Sequence, residues 1–122
     1  MLYRLINNRT DLGRIIVQYI TKDRGIYIVG VVDTRGATPD DLVVLEHPCL
    51  FKRYYVPGDD GSTENMRIDI CRLIVGSDMQ VCLRQSEYLG VAILDPTSES
   101  FYQEWLRGHV TKNTPVTQNT PV

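Results

Sequence analysis

Two histidines, three cysteines and two pairs of adjacent aspartates are the groups in this 122-residue chain with the plainest chemical capacity. A nucleophilic enzyme needs a Ser or Cys beside a positioned base. His47 and Cys49 are two residues apart, a spacing that would put both on one face of a strand. Pro48 lies between them and breaks the ladder, so His47 reads as a strand-end histidine rather than a base. His109 opens a polar tail and reads as solvated. Asp40-Asp41 and Asp59-Asp60 could each offer oxygens to a hard cation. Neither is followed by ligands at calcium-loop spacing, and turn formation or capping accounts for both. Gly58-Asp59-Asp60-Gly61 lacks the lysine of a phosphate loop and would repel phosphate. Cys49, Cys71 and Cys82 stand 22 and 11 residues apart with no CxxC pair. They read as buried, reduced core thiols rather than a zinc site or disulfide framework, which favours a reducing, intracellular setting. The expectation is a non-enzymatic protein with no catalytic residues, no metal site and no cofactor.

The remaining chemical resource is arginine. There are ten Arg against three Lys in a chain of net charge −2. That balance argues against a general phosphate-binding surface and leaves open a local Arg site. Arginine hydrogen-bonds base edges and, with nearby tyrosine, stacks on bases. It is also enriched where subunits meet, and the arginines are scattered along the chain rather than blocked.

These side chains must be held by mostly extended backbone. Val 13, Ile 10 and Thr 10 make 33 β-branched residues of 122, whereas Ala is 2. Such a chain loses χ1 freedom in a helix and fits a pleated surface. Strands are expected over Arg14–Thr21, although Leu12, Ile15, Ile16, Tyr19 and Ile20 also match helical spacing. Further strands follow over Ile26–Asp33, Leu42–His47, Cys49–Val56, Met66–Val75, Val81–Arg84 and Tyr88–Leu94. Gly30, inside a strand, marks a bend or a close backbone approach, and Pro48 an edge or a bulge. One helix is expected: Asp95 as cap, Pro96 at the first position, Phe101, Tyr102, Trp105 and Leu106 as its apolar stripe, and Gly108 as the stop. Its aromatics must dock on the sheet or on a neighbour. From His109 the composition changes; Asn113-Thr114-Pro115-Val116 recurs as Asn119-Thr120-Pro121-Val122, giving an extended or disordered tail. The organisation is thus an N-terminal segment 1–13, a β domain with its helix 14–108, and a tail 109–122. No run of 18 apolar residues and no secretory signal are apparent, so a cytoplasmic location and no membrane partner are expected.

Residues 14–45 resemble the first motif of the Sm-like family: strand, tight turn at Gly25, strand bent at Gly30 and ending in Asp33, a loop, and Asp41-Leu42-Val43-Val44-Leu45. Residues 81–94 resemble its second motif, here Val81-Cys82-Leu83-Arg84-Gln85-Ser86 followed by the strand Tyr88–Leu94. The proline-led C-terminal helix is similar to those of small Sm-like proteins encoded by phages. The resemblance implies a mainly β fold, a small, strongly bent five-stranded Sm-like barrel with one C-terminal amphipathic helix and an extended tail. It also implies ring-forming homo-oligomers. Where the family's RNA binders carry Asn, this chain has Asp41, and where they carry Gly after the arginine it has Gln85.

Two functions follow as expectations. One is a binding module for single-stranded RNA, with Asp33, Arg35, Asp41, Arg84 and Ser86 lining the loops. The other is a structural component of a viral particle or other large assembly, contacting other virion proteins, placed in a host cytoplasm or virion, with the aromatic helix and the tail, as an arm on another subunit's edge, making subunit contacts. In either case subunit contacts are expected from Tyr88, Leu89, Val91, Phe101, Tyr102 and Trp105.

Overall fold

The computed structural model describes residues 2, 5, 13–35, 40–58, 64–73, 80–112 and 118–121. Residues 59–63 and 74–79, most of the segment 1–13 and the first tail repeat lie outside them.

Alternating β-branched residues build the strands β1 (Arg14–Ile20) and β2 (Ile26–Asp33). They pair in unbroken antiparallel register from Arg14↔Asp33 to Ile20↔Tyr27. The extended alternative therefore prevails over the helical spacing of Leu12 to Ile20, because β2 supplies a partner ladder. Gly25 closes the turn between them with φ +79, a conformation that strains any residue with a Cβ. The long strand β3 (Leu42–Pro57) pairs with β2 on one side. Its other side takes two partners in succession: β4 (Glu64–Arg72) along Cys49–Pro57, and β5 (Gln80–Arg84) along Leu42–Glu46. A single 3-10 turn, Gln85–Glu87, leads to β6 (Gly90–Ile93), which pairs with β1. Helix α1 (Pro96–Lys112) follows, and β7 (Gln118–Pro121) pairs with β4.

The architecture is mainly β with a C-terminal helix, and the described residues form seven strands rather than five. The path runs β6-β1-β2-β3-β4-β7 with β5 branching from β3. Its ends do not pair with each other, so the sheet is open and not the closed barrel expected. Two causes account for the extra strands: the partner of β3 is interrupted after Arg72, and part of the tail adds to the sheet. The helix also passes Gly108, because that residue keeps helical backbone instead of a left-handed stop. The expected tail boundary at 109 accordingly falls inside α1.

The bend is built by three residues acting together. Between Val29↔Cys49 and Val31↔Glu46, β2 advances two residues while β3 retreats three. The surplus residue is a bulge at His47, whose φ is +49, next to Pro48, which has no amide to give. Opposite it, a Cβ on Gly30 would lie 2.5 Å from Leu45 Cγ and 2.9 Å from the Glu46 carbonyl oxygen. Only glycine lets the two backbones approach so closely. The bulge also switches which face β3 presents. Leu45 before it packs with Leu2, Val17, Tyr19, Ile28, Val32 and Leu83, whereas Cys49 and Phe51 after it join the opposite core.

That second core lies under α1. Asp95 caps the helix as expected, accepting from Ser98 N–H at 3.0 Å. Arg53 fixes the helix start to the sheet: it donates to Ser98 Oγ (3.0 Å) and Gln18 Oε1 (2.7 Å), pairs with Asp95 (3.6 Å), and stacks 4.6 Å from the Tyr27 ring centre. Burial works to raise the Asp95 pKa, but the Ser98 hydrogen bonds and the Arg53 charge outweigh it and leave the carboxyl below its usual range. Tyr102 and Trp105 descend into the core with Val29, Phe51, Ile68, Ile70 and Leu94. The Tyr102 hydroxyl donates to the His47 carbonyl at 2.7 Å, so the helix also satisfies the bulge.

Candidate functional site: a loop cluster between two open edges

Three connections meet where β2 ends, β3 begins and β5 gives way to its 3-10 turn. The first is Asp33-Thr34-Arg35. Thr34 is buried and exchanges hydrogen bonds with Gly13: its N–H donates to the Gly13 carbonyl (2.7 Å), and its Oγ1 accepts from the Gly13 N–H (2.8 Å). This fixes the backbone so that Arg35 folds back on Asp33. The guanidinium donates to both carboxylate oxygens, Nε to Oδ1 at 3.0 Å and NH2 to Oδ2 at 2.8 Å, and the Arg35 N–H adds a third bond at 2.9 Å. The Arg35 side chain, then its backbone amide, hold the Asp33 pKa down at about 2. A depressed carboxylate stabilises the fold above its unfolded value near ~3.9. That contribution is lost as pH falls toward about 2. An NMR titration of the Asp33 carboxyl is expected to show a midpoint near 2, and Arg35→Ala to return it toward ~3.9. An unchanged midpoint in the variant would show that the pair does not form in solution.

The second and third connections are joined. Leu42 pairs with Arg84, which brings Asp41 alongside the 3-10 turn. Ser86 donates to Asp41 twice, from N–H to Oδ1 at 2.8 Å and from Oγ to Oδ2 at 2.9 Å, while the Gln85 N–H donates to the Asp41 carbonyl at 2.9 Å. Below this staple lies Gln85, buried. Its Oε1 accepts from the Leu2 N–H at 2.8 Å and the Tyr19 hydroxyl at 3.2 Å, and its Nε2 donates to the Asp40 carbonyl at 2.9 Å. One amide thus joins the N-terminal segment, β1 and the β3 entrance. Burial, with the neighbouring Tyr88 hydroxyl, pushes the Tyr19 phenol far above its ordinary pKa, so it stays a neutral donor.

The structure thus brings Asp41, Arg84 and Ser86 together, while Asp33 and Arg35 hold each other. Arg84 is exposed at the end of β5. The residue that organises the cluster is Gln85, which by its place in the resemblance is only the loss of a glycine. A polar amide in a position flanked by apolar strands was its available signal.

The residues expected at subunit contacts divide differently. Leu89 is 67% exposed, Val91 and Phe101 are half-buried, and Tyr88 is half-buried against Tyr19 with ring centres 5.4 Å apart. Tyr102 and Trp105 are a correction: at 0% and 1% exposure both are spent in the chain's own core and have no surface left for a neighbour. Cysteine burial is also uneven. Cys49 is buried, Cys71 half-buried and Cys82 exposed on β5 opposite Val44, so the three do not form one class of core thiol. Burial, then Cys71, raises the Cys49 thiol pKa, which works against a reactive thiolate. Asp59 and Asp60 lie outside the described residues. Among the described residues no His, Cys, Asp and Glu group has metal-binding geometry, and no helix is long and apolar enough to cross a membrane.

No family model, curated protein or solved structure matches the chain.

The cluster lies between two unpaired strand edges. Among the described residues β5 pairs only with β3 and β6 only with β1. The Leu94 N–H donates to the Ile16 carbonyl. By antiparallel alternation, Val91 and Ile93 turn their backbone donors and acceptors outward. On the other side of the turn, Leu42 and Val44 are 56% and 52% exposed and flank Cys82 and Arg84 on the outer face of the β3–β5 ribbon. A separate cleft of about 320 Å³ between β1, β6 and α1 is floored by Ile16, Val31, Leu94 and Leu106 and rimmed by Arg14 and Glu99. Arg14 is paired there with Glu46.

Proposed function

We propose that the chain is an Sm-like assembly module that joins copies of itself edge to edge into a ring. The carrying observation is the pair of open edges, β5 and β6, on either side of one rigid turn. They differ in sequence and position, so joining β5 of one copy to β6 of the next is a head-to-tail contact. Repeating it gives a ring if the rotation closes. It also removes two edges that would otherwise template aggregation. The strand order adds support. Counting β4 and β5 as one interrupted partner of β3, and setting aside β7 from the tail, leaves five strands as in the family, with the bend at Gly30 where the family has its glycine.

The test is the solution mass of the full chain. A defined multiple of 13.9 kDa is expected. Val91→Pro removes an outward donor from the β6 edge without breaking the bonds to β1, and is expected to give a folded monomer by circular dichroism. A monomeric parent chain overturns the reading.

Arg84 favours a second reading, in which such a ring holds single-stranded RNA. An exposed guanidinium beside the stapled Asp41–Ser86 pair would recur once per subunit. Because Arg35 is already held by Asp33, Arg84 carries the prediction. Binding of a single-stranded RNA oligomer should weaken with salt and be lost in Arg84→Ala. No binding at low salt ends this reading. A component of a viral particle would instead assemble free of nucleic acid, which the absorbance ratio of the purified oligomer reports.

A further inference from the structure

The cleft between β1, β6 and α1 has a volume of about 320 Å³. That is the low end of the range for sites that hold small organic molecules. An apolar cavity of roughly 150 Å³ takes a benzene ring, so this one has room for a ring and a short chain. Its floor and walls are built by the core. The Tyr102 ring lines it, and its hydroxyl is tied to the His47 carbonyl, so the ring cannot swing aside and close the space. Leu94 beside it is 3% exposed, and Ile16 and Val31 pack against the same cluster from β1 and β2.

The rim decides what charge such a molecule carries. Two ionised side chains line the cleft, Arg14 from β1 and Glu99 from the first turn of α1. The Arg14 guanidinium is paired with Glu46, so its charge is already answered. Glu99 is half-buried, and its carboxylate has no hydrogen bond or ion pair among the described residues. Gln103 stands one turn further along the helix and Leu106 the next, the i, i+4, i+7 spacing that sets the three on one face. A molecule in the cleft therefore meets apolar carbon at the floor, with an amide and an uncompensated carboxylate at the rim. That arrangement favours an organic cation over an anion. A single carboxylate offers too few oxygens for a hard metal ion.

We propose that this cleft binds a small organic cation, a primary amine carried on one aromatic ring or a short apolar chain. The apolar part lies on Ile16, Val31 and Leu106, and the ammonium donates to the Glu99 carboxylate and the Gln103 side-chain carbonyl. The site goes beyond the edge-joined ring: all its lining residues belong to one chain and none lies on β5, so it does not depend on the oligomeric state.

The probe is phenethylamine, added to the full chain and followed through amide shifts in two-dimensional NMR. Saturable shifts are expected at Ile16, Val31, Leu94 and Glu99, with a Kd of about 1 mM or tighter. Phenethyl alcohol and hydrocinnamate, neutral and anionic molecules of similar size, are expected to bind about tenfold more weakly or not at all. Glu99→Gln keeps the length of the side chain and removes its charge; it should weaken the amine about tenfold and leave the alcohol unchanged. Gln103→Trp, on the exposed side of α1, places an indole over the cleft and should abolish binding of the amine. Comparing the three probes needs only the parent chain, so the test stands even where a variant fails to fold. The proposal is overturned if the amine gives no saturable shift at about ten times that concentration. It is equally overturned if the shifts fall elsewhere on the molecule, or if amine, alcohol and carboxylate bind alike. Tighter binding of the carboxylate also overturns it and assigns the charge of the cleft to Arg14.

Discussion

Replacing Trp105 with alanine is expected to lower the unfolding free energy by about 3–5 kcal/mol, the range for deleting a fully buried large aromatic. That is a large share of the roughly 5–15 kcal/mol that holds a domain of this size folded. The indole is 1% exposed, stacks on Tyr102 with ring centres 6.1 Å apart, and fills the space between α1 and the sheet. Its loss leaves a void in the cluster formed with Leu94 and with Phe51, Ile68 and Ile70, strand residues whose backbone cannot collapse into it. Urea denaturation of Trp105→Ala, followed by far-ultraviolet circular dichroism, checks this through a lowered midpoint at unchanged slope. The same experiment separates docking in the chain from docking on a neighbour. A tryptophan spent on a subunit contact would, when removed, change the oligomer's mass and leave the stability of the single chain nearly intact. A destabilisation below about 1 kcal/mol would contradict the packing described.

The helix start, the turn at Gly25 and the bend were legible because each rests on local backbone chemistry. Asp95-Pro96 announces a cap that needs no amide donor, and the structure places the Asp95 carboxylate on the Ser98 N–H. Gly30 and Pro48 each signalled an irregular ladder; what could not be read was that they face one another and form a single device. Pairing at long range was not legible. Nothing local distinguishes Gln118–Pro121 as a strand, since its partner lies some fifty residues earlier at Arg67–Ile70. The division of β3 between β4 and β5 depends on where its partner is interrupted, beyond Arg72. The aromatic stripe of α1 was evident from its spacing, but spacing does not say whether the surface it covers belongs to the same chain. In the loop cluster, Asp33, Arg35, Asp41, Arg84 and Ser86 stand out by their place in the resemblance, but no motif position tells that Asp33 and Arg35 hold each other and that Asp41 and Ser86 do the same.

Gln85 carries the second large effect, and Gln85→Met is expected to cost about 2–4 kcal/mol, from the roughly 1–3 kcal/mol of each buried polar group left unpaired. Methionine keeps the length of the side chain and nearly its volume, so packing is little changed and the loss isolates the amide. Two groups lose their acceptor, the Leu2 N–H and the Tyr19 hydroxyl, and the Asp40 carbonyl loses a donor. Tyr19 is 0% exposed and Leu2 only 3%, so water does not readily replace the lost bonds. The effect should also be spatially selective. Hydrogen exchange is expected to accelerate at the Leu2 amide and in the Asp40–Leu42 entrance to β3, while the β3–β4 ladder under α1 stays protected. The Asp41–Ser86 staple keeps its own hydrogen bonds in the variant but loses the buried anchor beneath it. If Gln85 serves only stability, Gln85→Met oligomers that remain folded will have the parent's mass. If it positions the turn that sets β5 against β6, the variant will dissociate at protein concentrations where the parent does not, because the two edges it separates must keep one fixed angle for a ring to close.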